Sequence, residues 1–98
     1  MEINKIQDGG KLTVELEGRL DTNTSPQLEQ ELNSSYEGTT ELIFDLNKLE
    51  YISSAGLRVL LSAQKTMNKQ GSMTVKGVSD VIMEIFEVTG FAEIFNIQ

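Results

Sequence analysis

The stretch that most restricts the fold is ELIFDL, residues 41–46. It is short and almost unbroken in apolar character, the pattern of a strand covered on both faces and therefore typically parallel to its neighbours. Parallel neighbours are joined by crossovers, so helices have to alternate with strands around it. With 98 residues there is room for one core, and residues 1–98 are read as a single domain.

The flanking segments supply the remaining elements. KLTVELEGRL alternates, with Leu12, Val14, Leu16 and Leu20 on one parity and Thr13, Glu15, Glu17 and Arg19 on the other, as in a half-solvated strand. Asp8-Gly9-Gly10 before it is a turn able to reach positive φ, and Ile3 and Ile6 mark a weaker strand, so the two are expected to form a hairpin. After the polar loop DTNTS, Ser25 is the expected N-cap and Pro26 the first turn of a helix. Its stripe runs through Leu28, Leu32 and Tyr36 and stops near Gly38. A second helix is expected from Leu57 to Gly71, then a strand SMTVK, a helix capped at Ser79 or Asp80 and closed by Gly90, and a last strand in FAEIFNI. Asp45 is expected near a strand end, its charge reaching water or a backbone donor. The fold class is thus α/β, a mixed sheet made of an N-terminal hairpin followed by alternating strands and helices packed on it.

Composition removes whole classes of function. Eight Lys plus Arg against fifteen Asp plus Glu give a formal charge of −7, which repels nucleic-acid phosphates and anionic lipid. With no Cys and no His, disulfides, thiol chemistry, the usual general base and the commonest nitrogen metal ligand are all missing. No cofactor and no metal are expected. MEINKIQDGG has no apolar run behind a basic head, and no segment approaches a membrane span, so the expected location is the cytoplasm.

The hand-over from strand to helix, YISSAGLRVLL at residues 51–61, holds the candidate chemistry. Backbone N–H groups in a first helical turn lack intrahelical partners, and the macrodipole adds partial positive charge there. Ser53 or Ser54 can simply cap the helix, with Gly56 allowing close packing. Alternatively the small residues of Ser-Ser-Ala-Gly leave a hydroxyl open to a large partner, and a phosphoryl group on Ser54 would be tolerated by the free N–H groups. A serine nucleophile is disfavoured, since no histidine is present and the G-x-S-x-G elbow is absent. The chain is not expected to be an enzyme.

The stretch IFDLNKLEYISSAGLRVLL resembles the signature of the STAS domain of bacterial anti-sigma factor antagonists, D-L-x-x-L-x-[YF]-[IM]-[DS]-S-x-G-L. LEGRLDTNTSPQL resembles that family's L-x-G-x-L-D-x-x-T-x-x-x-L segment, and EIFEVTGFAEIFNI its closing helix, turn and final strand. The resemblance implies a STAS-like mixed β-sheet and a protein-binding domain of transcription regulation, switched by phosphorylation. The partner would be an anti-sigma factor serine kinase, sequestered so that a sigma factor is freed, and a serine phosphatase would reset the switch. Aligned through Gly56 and Leu57, the phosphoacceptor falls on Ser54, with Ser53 the second choice. Two departures stand out: Ser53 replaces the family's Asp, and Ala55 its second Ser or Thr.

The expected partner surface comprises Asp21, Thr22, Asn23 and Thr24 from the loop after the second strand, together with Ser53, Ala55, Gly56, Leu57 and Arg58. For Asp21 a plain strand-ending role stands beside the functional one. Leu57 and Arg58 are expected to be partly exposed at the helix start. Two rivals remain open: a STAS scaffold subunit of a sensory or transport complex that docks without phosphorylation, and a small-ligand sensor holding an anion at the helix start.

Overall fold

The N-terminal hairpin forms as expected. In a computed structural model describing residues 1–98, strand β1 (Glu2–Asp8) runs antiparallel to β2 (Lys11–Leu20), with Gly9 at φ +61° in the turn. Helix α1 (Ser25–Asn33) crosses to β3 (Glu41–Ile52), and α2 (Ser54–Gln70) crosses to β4 (Ser72–Lys76). The β2–β3 and β3–β4 pairs are parallel, giving a mixed four-stranded sheet in the order β1-β2-β3-β4. Helix α3 (Asp80–Thr89) and a short 3-10 turn, Phe91–Glu93, complete the chain.

The parallel character of ELIFDL is present, but its two-sided cover is not. Leu42, Phe44 and Leu46 are fully buried beside Val14 and Val75, while Ile43 is only half-buried on the other face, between Thr13 and Thr74. All buried strand residues join the helix residues in one cluster of 21, so the core lies on one side of the sheet. The run reads as continuous because Ile43 happens to be apolar on the partly open face.

Strand β3 is also twice as long as ELIFDL indicates. Its pairing with β2 passes two register shifts, between Glu15 and Glu17 and between Gly18 and Arg19, before Leu20 meets Ile52. These irregularities break the alternation around Asn47 and Lys48 and disguise the strand. Asp45 therefore lies in mid-strand, not near an end. Its carboxylate does find a backbone donor, accepting from the Asn47 N–H at 3.0 Å and from Asn47 Nδ2 at 2.7 Å.

Three other expectations change at element ends. The N-cap of α1 is Thr24, not Ser25; Ser25 is buried as the first helical residue and its hydroxyl donates to the Asp21 carbonyl. Helix α1 stops at Asn33, short of Tyr36, because the Ser34 and Ser35 hydroxyls both donate to the Glu31 carbonyl, and side-chain bonds of this kind compete with the helical ladder. Tyr36 still packs on the core from the turn that follows. The last segment forms a single parallel bridge, Val75 to Ile97, rather than a strand. Phe91 and Phe95 are spaced for a helical turn, and Phe95 stacks on Phe91 and meets the edge of Phe86, each pair at 5.5 Å between centroids.

Gly71 closes α2 for a packing reason. A Cβ there would lie 1.8 Å from the Thr40 carbonyl oxygen, which already accepts the Ser72 N–H that starts β4.

Candidate functional site

Strands β2 and β3 finish side by side. Leu20 pairs with Ile52, and the Ser53 N–H donates to the Leu20 carbonyl at 2.9 Å. The loop that follows β2 and the helix that follows β3 are therefore neighbours at the C-terminal end of the parallel strands, where α/β sheets generally place their ligands.

The two serines divide the work between them. Ser53 takes extended backbone angles as the N-cap of α2, its Oγ accepting from the Gly56 N–H at 3.4 Å and its carbonyl from the Leu57 N–H at 2.9 Å. Ser54 is the first helical residue; it is exposed, and its hydroxyl has no hydrogen-bond partner in the chain. The N–H groups of Ser54 and Ala55 have no partner to find within the helix either. No acidic residue occupies this first turn, so its partial positive charge is not offset from within.

The residues beneath are tightly packed. Gly56 is buried, and a Cβ at that position would come within 2.8 Å of Leu20 Cγ and 2.9 Å of Ile52 Cγ1. The glycine lets α2 sit directly on the ends of β2 and β3. Leu57 is only 3% exposed, which overturns its expected exposure: four residues past the cap it points into the core. Arg58 is exposed as expected, one helical turn beyond Ser54. Ala55 and Ser53 are half-buried.

The neighbouring loop is locked by its own polar groups. Asp21 Oδ1 accepts from the N–H groups of Asn23 at 3.0 Å and Thr24 at 3.1 Å. Thr24 Oγ1 accepts from the Asp21 N–H at 2.9 Å while donating to the Arg19 carbonyl at 2.8 Å. The Thr24 N–H bond is the main reason that the Asp21 carboxyl titrates below its ordinary value of 3.8; the Asn23 N–H, the Thr24 hydroxyl and the Arg19 charge act in the same direction against partial desolvation. Asp21 and Thr24 are half-buried fixtures of this turn, whereas Thr22 and Asn23 are exposed at its tip. The edge thus offers Thr22, Asn23, Ser54 and Arg58 outward and uses Gly56 and Leu57 to hold them in place.

One pair at this edge escaped the sequence reading. The Arg19 guanidinium lies 4.3 Å from the centre of the Tyr51 ring, and its Nε is 4.0 Å from Asp21 Oδ2. Arg19 and Tyr51 are register partners on β2 and β3. The i, i+2 spacing of Arg19 and Asp21 was visible, but the position of Tyr51 depends on a register that contains a bulge.

No group of three Asp or Glu side chains is placed to hold a metal ion, and no helix is long and apolar enough to cross a membrane. A depression of about 570 Å³ lies on the open face of the sheet, lined by residues that include Asn4, Glu15, Glu17, Asp45 and Lys48, and contains none of the site residues.

Comparison with known proteins agrees with this architecture. The chain matches the STAS domain over residues 2–98. It is similar to BtrV of Bordetella bronchiseptica, a protein named as an anti-sigma factor antagonist, with 34% identity over 99% of this chain and 85% of that one. In fold it is similar to an anti-sigma factor antagonist from Mycobacterium paratuberculosis, with TM-score 0.88 and 23% identity over 98% of this chain and 83% of that one. It is also similar in fold to the Bacillus cell fate determinant SpoIIAA in its phosphorylated form, with TM-score 0.78 and 15% identity over 99% and 91% of the two chains.

Proposed function

Because this chain belongs to the STAS domain family, we propose that it acts as an anti-sigma factor antagonist whose docking edge is controlled by phosphorylation of Ser54. The observation that carries the reading is the division of labour between the serines: Ser53 spends its hydroxyl on the helix cap, and Ser54 leaves its own exposed and unengaged. A relative that covers nearly the whole chain is named as an antagonist of this kind, which supports the general role.

With Ser54 unmodified, the edge formed by Thr22, Asn23, Ser54 and Arg58 docks on an anti-sigma factor that is itself a serine kinase, and the sigma factor is freed. The partner binds ATP; Ser54 Oγ attacks the γ-phosphorus, its proton passes to a base on the partner, and ADP leaves. The chain supplies the acceptor and no catalytic group, in keeping with its lack of His and Cys.

The phosphoserine carries about −1.5 to −2 charges. Within this chain the Ser54 and Ala55 N–H groups, the helix end and Arg58 one turn along receive it. Against a partner that already holds nucleotide phosphates, the same charge costs on the order of several kcal/mol, and about 1.4 kcal/mol changes affinity tenfold. The complex separates, and a metal-dependent serine phosphatase restores the hydroxyl.

The departure at position 53 is accommodated by this geometry. Asp and Ser are near-equal N-caps, so Ser53 keeps the backbone that presents Ser54 while removing one negative charge from beside the acceptor. Ala55 is half-buried and adds no competing hydroxyl.

The test is incubation with ATP and each anti-sigma factor serine kinase of the source organism, with the modified residue located by mass spectrometry. Phosphate is expected on Ser54 in the wild type and in Ser53→Ala, and none in Ser54→Ala. Phosphate on Ser53 alone would reverse the assignment. Stable docking with no phosphate on either serine would replace this reading with that of a scaffold subunit.

A further inference from the structure

Helix α3 carries more apolar surface than the core uses. Ile82 and Phe86 are fully buried, yet Val81 is 59% and Val88 80% exposed, with Ile85 half-buried between them. Residues 81, 85 and 88 follow the i, i+4, i+7 spacing of a single stripe, so these three form a second apolar face beside the one that meets the sheet. Ile94, 48% exposed, lies in the turn that follows the helix.

The charge around this stripe has one sign. Asp80, Glu84 and Glu87 are exposed, and at 3.6 residues per turn they fall on the flank of the stripe opposite Ile82 and Phe86. From Gly77 to Gln98 the chain contains Asp80, Glu84, Glu87 and Glu93 and no Lys or Arg. No ion pair neutralises any of these carboxylates. A second copy of the chain would bring acid to acid, and an anionic lipid surface would be repelled for the same reason. A complementary occupant has an apolar stripe of the same spacing edged by Lys or Arg.

This face is separate from the Ser54 edge. Strand β4 ends at Lys76, which pairs with Asp45, whereas β3 continues to Ile52 before α2 begins. The chain therefore turns into α3 well short of the end of the sheet that carries Ser54. We propose that the Val81, Ile85 and Val88 face of α3 is a second docking surface, for a basic amphipathic helix of a protein partner. It does not depend on the phosphorylation state of Ser54.

The test uses the full chain, isotopically labelled, titrated with two synthetic amphipathic peptides that share one Leu stripe and differ only in a Lys or a Glu flank. The Lys peptide is expected to move the backbone amide resonances of Asp80 to Gly90, with an affinity that falls as salt rises. Val88→Ser, a change at a residue too exposed to threaten folding, should weaken it about tenfold, as should the double change Glu84→Lys, Glu87→Lys. Ser54→Asp should leave it unaltered. The proposal is overturned if the α3 amides do not respond or if both peptides bind equally. It also fails if protein concentration alone shifts those amides, which would make a second copy the occupant. Loss of the Lys peptide in Ser54→Asp would overturn the independence of the two surfaces.

Discussion

Helices α2 and α3 begin with the same cap and then diverge. In each a serine with extended backbone accepts the N–H three residues on: Ser53 from Gly56 at 3.4 Å, Ser79 from Ile82 at 3.3 Å. In α3 the third position is a fully buried isoleucine and the first turn contains Asp80, so the helix is anchored by a side chain and its positive end is already offset. In α2 the third position is a glycine pressed on Leu20 and Ile52, and the first turn holds only Ser54, Ala55 and Gly56. One start is charged in advance and the other is left uncharged over a rigid base. The uncharged start suits the phosphorylation proposed for Ser54, since no carboxylate within the first turn competes for its N–H groups or repels an incoming phosphate.

The anchors give the widest contrast. Replacing Ile82 with Ala opens a cavity in the core and should cost about 2–5 kcal/mol in chemical denaturation. At the equivalent place in α2, Gly56→Ala adds a methyl group where Leu20 and Ile52 leave no room, and should cost about 1–3 kcal/mol. The better helix propensity of alanine returns at most about 1 kcal/mol of that. If Gly56→Ala proved neutral, the rigid base under Ser54 would be lost from the comparison.

The caps should behave alike. Ser53→Ala and Ser79→Ala are each expected to lower stability by about 0.5–2 kcal/mol in the same measurement. A much smaller effect at Ser53 would mean that its hydroxyl is free for modification after all.

Charge should then separate the two starts with opposite sign. Ser54→Asp places an acid where α2 has none and should raise the stability of the isolated chain by about 0.3–1 kcal/mol, an effect that fades with added salt. Removing Asp80 by substitution with Asn should lower it by a similar amount. If the proposed partner is correct, the same Ser54→Asp change should weaken docking on that anti-sigma factor, so stability and affinity move in opposite directions.

The smallest effect concerns the loop beside α2. Asp21 titrates below 3.8 in the folded chain, so its contribution is present above the unfolded value of about 3.9 and disappears as pH falls through the lower folded value. Thermal unfolding followed from neutral pH into that acid range should show a shallower loss for Asp21→Asn than for the wild type. Equal slopes would mean that the Thr24 and Asn23 N–H bonds contribute nothing to holding the loop beside Ser54.

Much of this was legible in the chain. The alternation of KLTVELEGRL, the Gly9 turn and the SMTVK strand stand as read, and of the two cap candidates for α3 Ser79 is the cap, because each rests on neighbours in sequence. The errors fall where distant residues decide. Thr24 displaces Ser25 as the cap because Asp21 folds a turn back on both. Leu57 is buried because α2 lies directly on Leu20 and Ile52, a closeness that spacing alone does not reveal. FAEIFNI ends in a single bridge because Phe95 turns inward onto the edge of Phe86 and Phe91 stacks on Phe95.

By itself the sequence determined the alternation of strand and helix, the excess of acid, the absence of His and Cys, and the place where two serines open a helix. These are matters of local periodicity and of which functional groups exist, and folding cannot alter them. Only the tertiary structure decided which serine is spent and which is free, since that depends on one hydroxyl reaching the Gly56 N–H. It also decided that the Asp21 loop stands beside them, because strand register is set by pairing across the sheet and not by the order of residues along the chain.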